Sequence, residues 1–435
     1  MAAVEEYRGT VVLDEVSGWL RILDDGSVDR TWTGMPEALF LMTPVAPFLT
    51  PRDGVTLHDL PGSPSLRLYL PAGGRPRPEK LPVFLHFHGG GFCISHSSWF
   101  MYYQFYARLA ASLPAVVVSV ELPLAPEHRL PAAIDAGYAA LLRLRDLARG
   151  AAAGPGDTLL GSAADFSRVF LIGDSSGGNL VHQVAARASA ESPEFWAPLR
   201  VAGGVPLHPG FVRSSRSRSE LEQQSDSVFF TLDMLDKFLE LGLPEGATKD
   251  HPYTCPMGEA APPLEKVALP PFLVGVAEKD LIRDTNLEYC EAMKKAGKEV
   301  EVVMSREVSH SFYLNKFAVD NDPITGQRTD ELLLAIKRFS VAPSSRAFNS
   351  PTVESSTTAT SGKLPSASLP VSEGSPSEGE ATPQKRHKRH KLVHASIPEG
   401  QAPFVEIPSS EVPSAQASPT QEEPVREETQ EQSSE

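Results

Sequence analysis

The stretch from Phe170 to Asn179, reading Phe-Leu-Ile-Gly-Asp-Ser-Ser-Gly-Gly-Asn, constrains the fold more than any other part of the chain. An apolar run, Val169 to Ile172, predicts a short buried strand. Gly173, Ser175 and Gly177 then complete a G-x-S-x-G motif, and Leu180 to Arg187 follows with helical spacing. Strand, sharp turn and helix in that order make a nucleophile elbow. The reason is steric: a serine on so tight a turn is held in strained backbone geometry, and flanking glycines let strand and helix come close. The hydroxyl then projects above the sheet edge, at the positive end of the helix dipole. Taken by itself the motif also fits an ordinary glycine-rich turn, and the flanking elements favour the elbow.

The surrounding chain repeats the strand–helix rhythm. Leu66 to Leu70 alternates like a half-buried strand, and Leu81 to Phe87 reads as a buried one. The latter runs into His88-Gly89-Gly90-Gly91, where glycines let backbone N–H groups aim into a cavity. Such a loop, upstream of a serine elbow, supplies the oxyanion hole of esterases and lipases; a flexible glycine turn is the plainer alternative. Helical spacing is predicted over Tyr102–Leu113, Ala132–Arg149, Leu232–Leu241, Thr285–Gly297 and Thr329–Phe339, and further strands over Ala115–Val120, Val201–Pro206, Phe272–Val276 and Val300–Met304. Gly150 to Ala164 reads as a loop. Alternation of this kind predicts an α/β fold with a mainly parallel sheet covered on both faces.

Three regions depart from the rhythm. Residues 1–50 lack clear strand periodicity, although Val16 to Leu23 has strand-like character before the turn signal Asp24-Asp25-Gly26-Ser27. Pro36 to Phe48 carries many large apolar residues, as expected of a lid or a core-packing arm. Residues 212–265 read as an insertion that helps roof the site within a catalytic domain of residues 51–341. After about Val341 the chain becomes rich in Ser, Pro, Glu, Gln and Thr, so residues 342–435 are expected to be disordered. The basic cluster Lys385 to Lys391 there is a nuclear-localisation or anionic-surface patch, or else a solvated charge run.

Composition excludes several classes. A net charge of −15 argues against nucleic-acid binding by the folded domain. Cys93, Cys255 and Cys290 are scattered and odd in number, which supports neither a disulfide framework nor a zinc site and fits a reducing compartment. With no apolar leader and no membrane-length run, the expectation is a soluble cytoplasmic protein, with a nuclear location as the second option. Oligomeric state is left open.

Acyl transfer to a serine needs a base, an anion to orient that base, and donors for the oxyanion. Ser175, Asp280 and His310 occur in the order Ser, acid, His, each after a predicted strand of the sheet. Asp284 competes with Asp280, but is farther from the strand end and is expected to cap the following helix. His182, on the elbow helix, and His208, on a loop, read as structural. The backbone N–H groups of Gly89, Gly90 and Ser176 are the candidate oxyanion donors.

Together His88 to Gly91, Gly173 to Asn179 and Leu124-Ala125-Pro126-Glu127-His128-Arg129-Leu130-Pro131-Ala132-Ala133 resemble plant carboxylesterases of the hormone-sensitive-lipase-like branch, which also holds the gibberellin receptors. Leu232 to Phe238 and Asp250-His251-Pro252 look most similar to the hypersensitivity-related and carboxylesterase-15-like subgroup. The resemblance spans about residues 10 to 340. It implies an α/β-hydrolase core, a cap built from the N-terminal arm and an insertion, and hydrolysis of small carboxylic esters without metal or organic cofactor. It assigns Ser175 as nucleophile, Asp280 as acid, His310 as base, and Gly89, Gly90 and Ser176 to the oxyanion hole. The receptors in this branch have lost the catalytic histidine, so a non-catalytic ligand receptor is the rival expectation; recruitment as a dehydratase or acyltransferase is a third. Glu121-Leu122-Pro123 departs from the Asp-Tyr-Arg of many members, and the stretch after Val341 has no counterpart in the family.

Overall fold

The computed structural model describes residues 6–7, 10–72, 79–152, 154–223 and 230–341. The segment 342–435, expected to be disordered, lies outside the described residues, as does its basic cluster.

The nine-stranded central sheet contains β5 (Phe48–Arg52), β6 (Val55–Leu60), β7 (Leu66–Pro71), β8 (Leu81–Phe87), β9 (Val116–Val120), β10 (Ala164–Asp174), β11 (Val201–Leu207), β12 (Phe272–Ala277) and β13 (Val300–Ser305), after a separate four-stranded sheet of β1 (Glu6–Tyr7), β2 (Thr10–Val16), β3 (Leu20–Leu23) and β4 (Val28–Asp29). The central order is β13-β12-β11-β10-β8-β9-β7-β6-β5. The strands from β8 to β13 pair in parallel, while β5, β6 and β7 form an antiparallel edge joined to β9. The helices are α1 (Phe100–Ser112), α2 (Ala132–Ala148), α3 (Pro155–Ala163), α4 (Ser176–Ala188), α5 (Pro193–Trp196), α6 (Arg218–Glu222), α7 (Leu232–Gly242), α8 (Arg283–Lys295), α9 (Lys316–Asn321) and α10 (Pro323–Val341).

The inner strands are mainly apolar on both faces because both faces are covered, with His86, Ser119 and Asp174 as buried polar exceptions. Val83, Leu85 and Phe87 of β8, with Val169 and Leu171 of β10, face residues of α2, α4 and α8. Phe84, Phe170 and Ile172 point the other way, against α1 and α10. Burying such a side chain stabilises the fold by roughly 1.5–3 kcal/mol. A third cluster joins the N-terminal arm to α7: Trp19, Leu20 and Met42 pack with Met234, Phe238 and Leu241 over Cys93 and Ile94.

Three local expectations are corrected. The first fifty residues do hold strands, and the stretch from Val16 to Leu23 is broken by a turn in which Gly18 takes φ 75°. The stretch from Gly150 to Ala164 contains helix α3, with Pro155 in its first turn. The last helix begins at Pro323, earlier than its periodicity suggests. No helix among the described residues is long and apolar enough to cross a membrane.

Candidate active site

The chain leaves β8 toward β9 on one side and returns to β10 on the other, so the sheet order changes direction between β8 and β10. Open α/β sheets form their binding crevice at the carboxyl ends of strands flanking such a point. Here those ends carry His88-Gly89-Gly90 and Asp174-Ser175.

Ser175 is the N-cap of α4, with φ 56° and ψ −117°, a left-handed backbone that costs a non-glycine residue about 1–3 kcal/mol. Neighbouring bonds hold it there. Its N–H donates to Leu207 O (2.9 Å), and its carbonyl accepts from Gly210 N (2.8 Å) and Asn179 N (3.0 Å). The glycines are obligatory: a Cβ on Gly177 would lie 2.0 Å from Phe87 O, and one on Gly173 2.3 Å from Gly177 O. Gly89 is as tight, its Cβ position lying 2.7 Å from Asp174 O, and Gly90 has φ 102°. Ser176 is buried, and its Oγ accepts from Phe92 N (3.3 Å), joining the elbow to the glycine loop.

Asp280 is buried after β12, and its Oδ2 accepts from His310 Nδ1 at 2.7 Å. Burial pushes this carboxyl up, but the charge and hydrogen bond of His310, the nearby His208 and the Ile282 N–H outweigh it, and the net shift is downward. Among the described residues, His310 Nε2 is buried with no hydrogen-bond partner, and Phe230 stacks on the ring at 4.2 Å. Asp284 does not reach His310: its carboxylate accepts from Ser219 N (2.9 Å) and Arg283, tying α8 to α6. Nor does it cap α8, whose N-cap is Ile282. His182 is packed away, bonded to Tyr289 Oη (2.8 Å), with burial pushing it down to about 3.

Ser175, His310, Gly89, Gly90 and Ser176 line one cavity of about 410 Å³. Its walls are mainly apolar. Trp19 and Leu41 come from the arm, Trp99 and Met101 from the start of α1, and Phe230, Leu235 and Phe238 from residues 230–242. Arg30 straps the arm down, donating to Cys93 O (2.7 Å), Ala125 O (2.8 Å) and both Glu127 carboxylate oxygens. Sequence patterns gave no sign of this strap, whose partners lie 63 to 97 residues away.

Also unforeseen is the cage of Asp174. His86 Nε2 (2.9 Å) and Tyr106 Oη (2.8 Å) meet its Oδ2, and Tyr313 Oη donates to its Oδ1 (2.6 Å). A buried carboxylate requires such donors. His208, Asp280 and His310 lie close enough to hold a cation. However, His310 Nδ1 is bonded to Asp280 and His208 Nδ1 accepts from Ser311 N, so an ion would have to displace both bonds.

A serine elbow, a glycine loop on the adjacent strand end, and an Asp–His pair from two later strand ends define an α/β-hydrolase layout. The chain belongs to that family: the alpha/beta hydrolase fold family model matches residues 84–314. Among relatives, probable carboxylesterase 6 of Arabidopsis thaliana is 36% identical over 309 residues, covering 70% of this chain and 85% of the relative. The gibberellin receptor GID1C of the same plant is 38% identical over 237 residues, covering 54% of this chain and 64% of the receptor. Among solved structures, an esterase from Pyrobaculum calidifontis superposes with a TM-score of 0.53 at 29% identity, covering 67% of this chain and 86% of that one.

Proposed function

We propose that the protein is a serine carboxylesterase acting through Ser175, His310 and Asp280. The observation that carries this is the wiring of His310. With Nδ1 engaged by Asp280, Nε2, which has no hydrogen-bond partner among the described residues, is the ring nitrogen left to receive a proton, in the cavity that Ser175 also lines. Ser175 Oγ attacks the ester carbonyl carbon as His310 Nε2 takes its proton, and the N–H groups of Gly89, Gly90 and Ser176 receive the oxyanion. Collapse breaks the ester bond, and the departing alkoxide takes the proton from Nε2 to leave as the alcohol. Water, deprotonated by the same nitrogen, then cleaves the acyl-enzyme to release the acid and Ser175.

The substrate class follows from the walls. The charged side chains lining the cavity, among the described residues, are Asp174, already caged, and Lys279 and Glu307, both exposed. An apolar, aromatic-lined cavity of this size suits an uncharged ester of small to medium size. Finer placement near the hypersensitivity-related and carboxylesterase-15-like members rests on residues 232–238 and 250–252.

The test is release of p-nitrophenol from its acetate and butyrate esters by the wild type, Ser175→Ala and His310→Ala. Turnover in the wild type should fall by about 10³-fold or more in each variant. A folded wild type that turns over neither ester overturns the esterase reading. It would favour a ligand receptor, the role named for the receptor relatives.

A further inference from the structure

His208 lies outside the proposed chemistry and does not line the cavity, yet it packs directly against the His310 ring, 5.6 Å between centroids. It follows β11, is buried, and has φ 46°. Its Nδ1 accepts from Ser311 N at 2.7 Å, and Ser311 is the residue directly after His310. Ser311 is also left-handed, with φ 50°. Two strained non-glycine residues on different loops are therefore joined by one short bond, and each conformation needs outside support to persist.

The bond belongs to a larger frame. Leu207 and Gly210, on either side of His208, bond the backbone of Ser175 from both directions. His208 N donates to Gly275 O (2.9 Å) on β12, the strand that leads to Asp280. Pro209 O accepts from Asn286 Nδ2 (2.9 Å) on α8, just past Asp280. Residues 207–210 thus bridge the nucleophile turn to the elements that carry Asp280, and the His208 ring extends that bridge to the turn of His310. We propose that His208 is a positioning residue, whose Nδ1 fixes the His310–Ser311 peptide and so sets where His310 Nε2 meets Ser175.

This inference rests on the esterase reading for its kinetic consequence. His208 is not a second base: its Nδ1 is 3.8 Å from Asp280 Oδ2, beyond hydrogen-bond reach, while His310 holds that oxygen at 2.7 Å. Because Nδ1 accepts, the neutral ring carries its proton on Nε2. The charged or titratable groups around it are Asp280, His310, Asp174 and Tyr313, and burial holds the ring down to about 4, so it stays neutral at pH 7.

The experiment compares His208→Asn with His208→Leu, with active sites counted by a fluorophosphonate that labels Ser175. Asn places an amide oxygen near the position of Nδ1 and tolerates positive φ; Leu supplies volume without an acceptor. Leu should lower kcat by about 10- to 100-fold per labelled site with little change in KM, since a small misplacement of a catalytic group costs rate rather than binding. Asn should stay within about threefold of the wild type. Equal losses in the two variants, or a Leu variant with unaltered kcat, would overturn the proposal. Should the Leu variant fail to fold, His208→Gln replaces it: its amide reaches one carbon too far and should behave like Leu. The imidazole nitrogen spectrum of the wild type reads the same bond without any activity. An unprotonated Nδ1 on His208 is expected at pH 7, and a protonated one refutes the assignment even if the enzyme proves to have no esterase activity.

Discussion

Gly177 shows how completely one residue can be dictated by its neighbours. With the strand end Phe87-His88 only 2.0 to 2.6 Å from where a Cβ would stand, Ala would force β8 and α4 apart. Gly177→Ala should therefore cost more than about 3 kcal/mol and abolish Ser175 labelling. Gly161 is the contrast, since a Cβ there meets nothing within 4 Å inside α3. Gly161→Ala should raise stability by about 0.5–1 kcal/mol. Denaturant midpoints of the two variants check both signs. At this scale much was legible in the sequence, because Ser175 and the glycines sit in contiguous motifs at strand ends, and Asp280 and His310 each follow a predicted strand. The Asp174 cage was not legible: its donors at positions 86, 106 and 313 share no pattern with it. His208 was visible only as a histidine after a strand, and its bond to Ser311 depends on a turn 103 residues later.

Among the elements, the buried parallel strands were readable because their apolar runs are continuous. The edge was harder. Pro51 argues against a strand, yet β5 is the last strand of the sheet, where a missing N–H is tolerated. Helix α3 was hidden by Gly154, Pro155, Gly156 and Gly161, poor helix formers that leave little periodicity. Its Gly156 is needed for packing, since a Cβ would lie 2.8 Å from Leu60. The arm was expected to cover something, and its sheet, strapped by Arg30, brings Trp19 to the cavity wall. The Arg30–Glu127 pair is partly exposed and contributes little alone, but the same guanidinium also holds two backbone carbonyls. Arg30→Ala should loosen the arm and raise KM for p-nitrophenyl butyrate about tenfold, equivalent to about 1.4 kcal/mol, with a smaller change in kcat. Arg30→Lys should recover only part of this, because a point charge cannot serve carboxylate and carbonyls together. A KM unchanged in both variants would show that the arm is held by its apolar contacts.

Across the whole molecule, the same burial that builds two apolar layers on the sheet also encloses histidines. His182 on α4 packs edge-on against Phe211 and Tyr289, and burial lowers it from 6.5 to about 3. His208 is lowered from 6.5 to about 4 by the same cause. In the unfolded chain both would titrate near 6.5, so below that pH the unfolded state binds protons that the native state refuses. Stability must then fall as pH falls from about 6.5, by up to about 1.4 kcal/mol per pH unit for each such histidine. Asp280 adds to the loss at still lower pH: its folded value is depressed, so its contribution is present above the unfolded value of 3.8 and disappears as pH drops through the folded one. His182 separates stability from catalysis, because it is not among the residues lining the cavity. Replacing it with Asn keeps a polar partner for Tyr289 and removes the titration. Thermal midpoints measured between pH 4 and pH 7 should therefore descend less steeply for His182→Asn than for the wild type, even if the variant starts lower at neutral pH. Parallel curves would mean that the acid sensitivity of the fold resides elsewhere.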